Sequence, residues 1–579
     1  MGRAPRQPPP ERPPRGLSAL RPPADGRGRH PQHPRAARLS RGCENHDLGR
    51  GGDPVTRPTL ALTAALLALG APPAAATGFT ELGYDVLAST KARVDLHGVL
   101  RLRSELLRNL DLDRGPTPSG ELLFPVSLSE PDRQTLYHAD TRLRTDLAFY
   151  APGGMVAVKA RVDVLDNVSF GDSADGIPGG SLTQRPPGSA FIVKRAWGEA
   201  VTPLGYFAAG RMGAHWGLGM LSNGGDCADC DSGDAADRLT FATAALGHIF
   251  AVAYDFSAVG HDVARADEVR TVDVEPSAAV RTFSFAILNW RNDTSRARRT
   301  AAGKATFEYG LAWSHRWQDA DVPASYLPLS VPVAIGPAQL VRRGLTADVA
   351  DLWLRLETRH AHVELEAAYL HSKVDQASSL PGFELPEQVT SNQFGLALES
   401  TFGELDGAFD LGVDMGFASG DSAPGFGARP ALQDLTAPVN GDLDGPQAVP
   451  PYDNTVDNFR FHPDYRVDRI LFREIIGTVT DAFYLRPHAR LRLATFHSAR
   501  LDLGVTGVMS WANYASSTPG GHRPLGLEID PTLAYHADNG FAVQLEYAVL
   551  FPWAGLDNPA AGLIAKPAQL LRLHLAFGW

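Results

Sequence analysis

LLRLHLAFGW, residues 570–579, closes the chain. A tail that nothing holds down is ordinarily poor in apolar residues, because it frays. Here Leu571, Leu573, Leu575, Phe577 and Trp579 fall on one side of an extended segment, and Arg572, His574, Ala576 and Gly578 on the other. Side chains alternate across a strand, so the spacing predicts a strand reaching Trp579, with one apolar and one polar face.

The same alternation recurs upstream. RVDLHGVLRLRSELL, from Arg93, sets Val94, Leu96, Leu100 and Leu102 against Arg93, Asp95, His97, Arg101 and Arg103. DTRLRTDLAFY sets Leu143, Leu147 and Phe149 against Asp140, Arg142, Arg144 and Asp146. MVAVKARVDV opposes Val156, Val158, Val162 and Val164 to Lys159, Arg161 and Asp163. DLWLRLETR and AFYLRPHARLRLA continue it, with Asp351, Arg355, Glu357, Arg359, Arg486, His488, Arg490 and Arg492 on the polar side. A period of two repeated this often predicts an all-β protein.

Turn-rich stretches at 151–154, 202–205, around Gly247, 402–405, 496–499 and 537–540 are short. Between them lie long polar stretches at 107–137, 167–189, 221–237, 259–278, 317–348, 374–390, 419–479, 514–526 and 553–566. Short and long connections taking turns is the signature of a transmembrane β-barrel, with periplasmic turns and longer outer loops. The expected fold is therefore all-β: a single large transmembrane antiparallel β-barrel of about 16–18 strands over residues 78–579. Two features fit less well. RNDTSRARRTAAGK (291–304) is long for a short turn, and the strands near 191–201 and 238–246 alternate poorly. A soluble chain of β-sandwich modules would also alternate. Its polar faces would meet bulk water and favour Lys, Glu, Thr and Ser, whereas here Arg is interleaved with Asp and Glu, as on a confined wall.

Composition agrees. With 44% hydrophobic residues, 21% charged residues and a mean hydropathy of −0.15, the chain lacks the repeated apolar runs of a polytopic helical membrane protein. The one comparable run, TRPTLALTAALLALGAPPAAATGF, reads as a secretory signal peptide over residues 57–77. The preceding residues 1–56 read as a disordered Arg/Pro-rich segment with 11 Arg, no Lys and 5 acids. Its position ahead of a well-formed signal points to a start set too far upstream, rather than to a nucleic-acid-binding arm. Those 56 residues and Arg57 carry seven net positive charges, so the remainder moves from −11 to about −18. An acidic mature chain is not a nucleic-acid binder by charge.

Arg dominates the inner face: Arg93, Arg101, Arg103, Arg142, Arg144, Arg161, Arg211, Arg355, Arg359, Arg486, Arg490, Arg492 and Arg572 are the candidate pore-lining residues. Two readings stand open. Fixed guanidinium groups favour anionic or polyhydroxylated solutes. Alternatively, cross-strand pairing with Asp95, Asp140, Asp146, Asp163, Glu364, Glu366, Asp502 and Glu546 keeps the wall rigid and wet. GRMGAHWGLGMLSNGGDCADCDSGDAADR (210–238) is the most distinctive stretch. Cys227 and Cys230, an even pair in an exported chain, are expected to form a disulfide, closing an acidic loop at the outer rim. Zinc would need two more Cys or His at motif spacing. Calcium is the weaker metal alternative, with Asp226, Asp229, Asp231 and Asp234 as its ligands. In PDYRVDRILFREIIG, Ile470, Leu471, Ile475 and Ile476 take near-helical spacing. A short helix there either folds inward as a constriction or covers the rim. GxSxG, HExxH, P-loop and Rossmann fingerprints are missing, so neither an enzyme nor a cofactor is expected.

The stretches GRMGAHWGLGMLSNGGDCADCD, DRILFREIIGTVTDAFYLRP, STPGGHRPLGLEIDPTL, NGFAVQLEYAVLFPWAGLDN and LRLHLAFGW resemble an uncharacterised family of porin-like outer-membrane barrels from deltaproteobacteria. The resemblance spans roughly residues 79–579 and carries no established substrate. More loosely, the Arg-rich wall is similar to that of alginate-export-type porins, a likeness that transfers no residue roles. It implies residence in the outer membrane of a Gram-negative bacterium, contact with outer-membrane lipid, and a terminal aromatic read by the barrel-assembly machinery. The expected function is a channel for passive passage of small solutes, anionic ones among them. The alternative is a non-conducting structural or surface-interaction barrel plugged by its loops. Oligomeric state is left open.

Overall fold

Apolar positions of the alternating segments turn outward: Val94, Leu96, Leu147, Phe149, Val158, Leu352, Leu491, Leu571, Leu573 and Phe577 are all exposed. Their polar neighbours turn into a lumen. The computed structural model describes residues 91–130, 134–171, 191–265, 269–323, 336–404, 407–427, 439–443, 445, 448 and 453–579. The Arg/Pro-rich segment and the signal peptide expected over 1–77 lie outside these residues.

The first strands are β1 (Arg93–Arg108), β2 (Thr135–Tyr150), β3 (Val156–Ser169), β4 (Phe191–Thr202), β5 (Gly205–Gly213), β6 (Ala235–Ala245) and β7 (His248–Ala258). A small outlying hairpin, β8 (Asp262–Ala264) and β9 (Thr271–Asp273), follows. Then come β10 (Val280–Asn289), β11 (Thr306–Gln318), β12 (Leu345–Glu357), β13 (Ala361–Val374), β14 (Val389–Gly403) and β15 (Phe409–Ala418). The wall ends with β16 (Ala482–Thr495), β17 (Ala499–Ala512), β18 (Pro524–Ala537), β19 (Phe541–Pro552) and β20 (Ala568–Gly578). Apart from the outlying hairpin, each strand pairs antiparallel with its sequence neighbours, giving an 18-stranded sheet. β20 returns to β1, from Val99 opposite Gly578 to Arg108 opposite Gln569, which closes the barrel. Closure removes the free edges that an open sheet of this size would expose. Trp579 extends the seam by exchanging backbone hydrogen bonds with Gly98 at 3.1 and 3.2 Å. Its ring lies over Gly98, where a Cβ would collide with the indole.

The two weak spots of the alternation have physical causes. Opposite β3, the register slips between Arg161, facing Arg195, and Val162, facing Val193. Such a bulge puts one extra residue on β4 and breaks the period of two. On β6 the inward face carries Arg238, bonded to Asp255, but continues with Thr240 and Ala242, too small to register as a polar face. The 291–304 connection contains helix α1 (Asp293–Ala301), capped by Asn292, whose side chain accepts the Ser295 N–H at 2.8 Å. Arg296 fixes α1 to the wall acids Glu308 and Glu357, at 3.2 and 3.4 Å. Anchored this way, a long connection still sits tightly under the barrel.

A loop-filled lumen as the candidate functional site

Two long connections fold into the barrel. The first, 214–234 between β5 and β6, crosses toward β12 and β13. There the Trp216 indole donates to Asp351 at 3.1 Å, and the N–H groups of Met220 and Leu221 donate to Glu366 at 3.2 Å. Gly217 permits the crossing. Its φ is +56°, and a Cβ would lie 2.6 Å from the Glu366 carboxylate, so only glycine takes this position without strain. The second connection joins β15 to β16. Its stretch 453–481 brings in Phe459, Phe461, Ile470, Leu471, Phe472, Ile475 and Ile476, all buried, to pack with Met220 of the first loop. These apolar side chains make a core inside the barrel, so the loops are held there by burial as well as by hydrogen bonds. A single helical turn, Leu471–Ile475, forms where near-helical spacing was expected, and it settles that expectation for the inward alternative.

Charge locks the two loops to the wall and to each other. Asp231 meets Arg101 at 2.9 Å, Arg103 at 3.0 Å and Arg466 at 2.7 Å. Asp229 meets Arg103 at 3.0 Å, Arg466 at 2.8 Å and Arg473 at 2.6 Å. Burial alone would raise both acids. The opposing Arg473, Arg466 and Arg572 hold Asp229 well below the usual carboxylate range, and Arg103, Arg101 and Arg466 do the same for Asp231. Burial pulls the Arg473 guanidinium down to about 10. Asp464, from the second loop, accepts the N–H groups of Asp231 and Ser232 at 2.8 Å, and the His462 N–H donates to the Met220 carbonyl at 2.7 Å.

The expected pore-lining arginines divide into groups. Arg101 and Arg103 also grip Asp140, both at 2.9 Å. Arg142 donates to the carbonyls of Ala228 and Cys230, while Arg144 bonds Asp163 at 2.8 Å and the Gly225 carbonyl at 2.6 Å. Arg161 bonds Asp146 at 2.6 Å and reaches Asp226. Arg572 is held by Glu105, by Glu474 at 2.9 Å and by Glu546 at 3.3 Å. Arg93, nearer the short-turn end, pairs with Asp95 at 2.7 Å and lies over the Tyr150 ring. Arg355 pairs with Glu364 at 2.8 Å.

Two arginines depart from the expectation. Arg211 shares the outward face of β5 with Phe207 and Ala209, and pairs there with Asp237 at 2.7 Å. It sits at the loop end of its strand, where an outward charge is no longer enclosed by apolar neighbours. Arg359 belongs to the tight turn between β12 and β13, paired at 2.6 Å with Glu404 and more than half exposed.

The acidic loop is corrected as well. Cys227 and Cys230 are bonded to each other, but their turn lies inside the lumen, gripped by Arg142, and not at the outer rim. The calcium alternative fails on chemistry. Asp226 faces Arg161 and Arg195, Asp229 and Asp231 face the cluster above, and Asp234 accepts from the Asn223 N–H at 3.3 Å. No metal-holding group of acids, His or Cys occurs among the described residues; guanidinium groups take the place a cation would. Arg195, Arg466, Arg469, Arg473 and Arg500 were not singled out by strand alternation. Arg195 follows a bulge, and three of the others sit in a loop where no period of two exists.

Toward the short-turn ends of β16–β19 the lumen stays open. A chamber of about 810 Å³ lies against β14–β19, bordered by the turns at 496–498 and 538. On its wall Arg490, Arg492 and Arg500 converge on Asp502 at 3.5, 3.3 and 3.2 Å. Arg490 also bonds Asp410 at 2.7 Å, and Arg486 pairs with Asp414 at 2.6 Å. His488 and His536 complete a polar, titratable lining.

No protein-family model matches the chain and no curated protein does, so the two resemblances drawn from sequence gain no support there. Solved structures do match. A BenF-like porin from Pseudomonas fluorescens Pf-5 is 9% identical, with 84% of this chain and 98% of that one covered at a TM-score of 0.39. The outer membrane protein OpdK from Pseudomonas aeruginosa is 10% identical, with the same coverage and score. OpdL from Pseudomonas aeruginosa is 9% identical over 84% and 98%, at a TM-score of 0.41. At such identities and scores the fold rests on the strand pairings of this chain itself.

Proposed function

We propose that this chain is an outer-membrane, porin-like channel for passive passage of small polar solutes, anionic ones among them. The observation that carries the reading is the chamber: a closed barrel with an apolar outer face keeps about 810 Å³ of charged, open lumen along one side. Barrels of this strand number are wide enough to leave an aqueous path, and inward charges tune what passes. The guanidinium groups of Arg490, Arg492 and Arg500 gather on the chamber wall around Asp502, which supports the anionic part of the reading. On this reading the protein transports and does not catalyse. It is exported by its signal, its outward Leu, Val and Phe meet lipid, and Trp579 is the terminal aromatic presented to the assembly machinery.

A second reading, a plugged structural barrel, is favoured by one observation: both inward loops are bonded to each other and to the walls of β1–β4, β12, β13 and β18–β20. Planar bilayers separate the two. Purified full-length protein giving stepwise current supports the channel. No current from that protein, nor from a variant lacking residues 453–476, overturns it.

A further inference from the structure

Most buried acids of the lumen have a guanidinium partner, but the acids that seat the two loops do not. Glu366, fully buried on β13, receives the N–H groups of Met220 and Leu221. Its inward diagonal neighbour across the strand pair is Asp351 on β12, which receives the Trp216 indole. Glu528, 1% exposed on β18, receives the N–H groups of Arg469, Ile470 and Leu471 at 2.8, 2.8 and 3.0 Å. Two residues along the same inward face stands Asp530, 4% exposed, with one carboxylate oxygen that has no hydrogen-bond partner. Each loop therefore rests on a buried pair of carboxyls.

The charges around these pairs are already engaged. Beside Asp351 and Glu366, Arg355 on β12 is bonded to Glu364 on β13 and lies 3.6 Å from Glu308 on β11, and His362 lies 3.1 Å from Glu364. His215 of the first loop accepts the Gly224 N–H at 3.2 Å, and Glu399 on β14 receives the Tyr465 hydroxyl. Beside Glu528 and Asp530, Arg469 of the loop is drawn to Glu546 on β19, Arg486 on β16 to Asp414 on β15, and Arg473 to Asp229. Among the described residues of the loop a further acid faces this pair, Asp468, which accepts the N–H groups of Phe472 and Arg473 at 2.9 and 3.1 Å. Burial, and then Glu528, push that carboxyl well above its ordinary range. Two adjacent carboxyls buried without a counter-cation cannot both ionise at low cost.

We propose that the pairs Asp351–Glu366 and Glu528–Asp530 are proton-held clamps, each keeping its loop in the lumen while it carries a proton and releasing it to solvent when both carboxyls ionise. The sign follows from linkage. The loop-in state binds a proton that the loop-out state gives up to water, so the loop-in state is favoured at low pH and is lost as pH rises. The current readout rests on the channel reading above; the clamp itself does not.

The test uses full-length protein in planar bilayers together with Trp216 emission, isolated as the difference between the wild type and Trp216→Phe. Conductance should rise about threefold or more between about pH 5 and about pH 9, and the Trp216 emission should shift to the red over the same range, as for a coupled carboxyl pair. Asp351→Asn/Asp530→Asn removes the second charge of each pair and keeps both Glu acceptors, so the Trp216 emission should become flat, and the current should keep only the response of Asp468 beside Glu528, which adding Asp468→Asn removes. Asp530→Asn alone should flatten only part of the current. Wild-type current and emission both insensitive to pH would overturn the clamp, as would a Trp216 shift that persists in the double variant or a current response that persists once Asp468→Asn is added to it. An emission shift that the double variant abolishes, with no current at any pH, keeps the clamp and removes the channel reading.

Discussion

Arg101 on β1 and Arg492 on β16 both point into the lumen, on strands of similar sequence. Arg101 is fully buried, held by Asp140 of the wall and Asp231 of a loop. Arg492 is 14% exposed, and Arg490 and Arg500 beside it are 31% and 28% exposed, the three meeting at Asp502 and Arg490 also on Asp410, at the edge of an open chamber. The strands treat the two sides alike. Residues 224–231 deliver carbonyls and carboxylates to β1–β4 and cover the arginines there, whereas Arg490, Arg492 and Arg500 stay part-exposed on the chamber wall. An inward arginine is a pin where a loop covers it and lines the chamber where it stays part-exposed.

The comparison breaks most directly at Asp231. Asp231→Ala leaves Arg101 and Arg466 with one partner fewer in a region that excludes water, and removing one member of a buried pair costs about 3 kcal/mol. Denaturant unfolding should show that loss. Conductance should rise, because the first loop loses its hold on both the wall and the second loop. Unchanged stability and current would mean that the packed side is no more rigid than the chamber side.

This asymmetry marks how far sequence could be read. Strand positions follow from a period of two, so β1, β2, β12, β16 and β20 were legible. The side of the wall was legible too for Arg101, Arg142, Arg490 and Arg572. Arg211 and Arg359 were misplaced because alternation gives a face but not where along a strand the enclosed zone stops. Inward folding of 214–234 was invisible for a different reason. Its determinants are a positive-φ glycine, Gly217, and contacts to Glu366 and Arg101 more than a hundred residues away, neither of which leaves a local period. Acids clustered as Asp226, Asp229, Asp231 and Asp234 look the same in sequence whether a metal or a ring of guanidinium groups awaits them.

A smaller effect is expected at the turn that carries those acids. Cys227 and Cys230 enclose a very short loop, and cross-linking one of that length restrains the unfolded chain by about 2 kcal/mol. Cys227→Ser/Cys230→Ser should lower the unfolding midpoint accordingly. Current should change little, because Arg142 still grips the carbonyls of Ala228 and Cys230. A large rise in conductance would instead place the disulfide, and not the arginines, as the feature that keeps the packed side closed.

The smallest effect on stability and the clearest on selectivity should come from Arg490→Ala/Arg492→Ala. Both side chains are part-exposed, and ion pairs of that kind contribute about 0–1 kcal/mol each. Their removal takes two positive charges from the chamber wall, deprives Asp410 of Arg490 and leaves Asp502 with Arg500. The reversal potential in a salt gradient should move toward cations. The shift should shrink as salt rises, since screening at 0.1 M ionic strength acts over about 10 Å. Arg101→Ala should do the reverse, lowering stability by several times more while barely moving selectivity, because its charge is already balanced inside a dry cluster. If the Arg490/Arg492 variant unfolds as readily as the Arg101 variant and its reversal potential stays put, the chamber arginines are pins as well, and the division of the lumen into a packed and a conducting side fails.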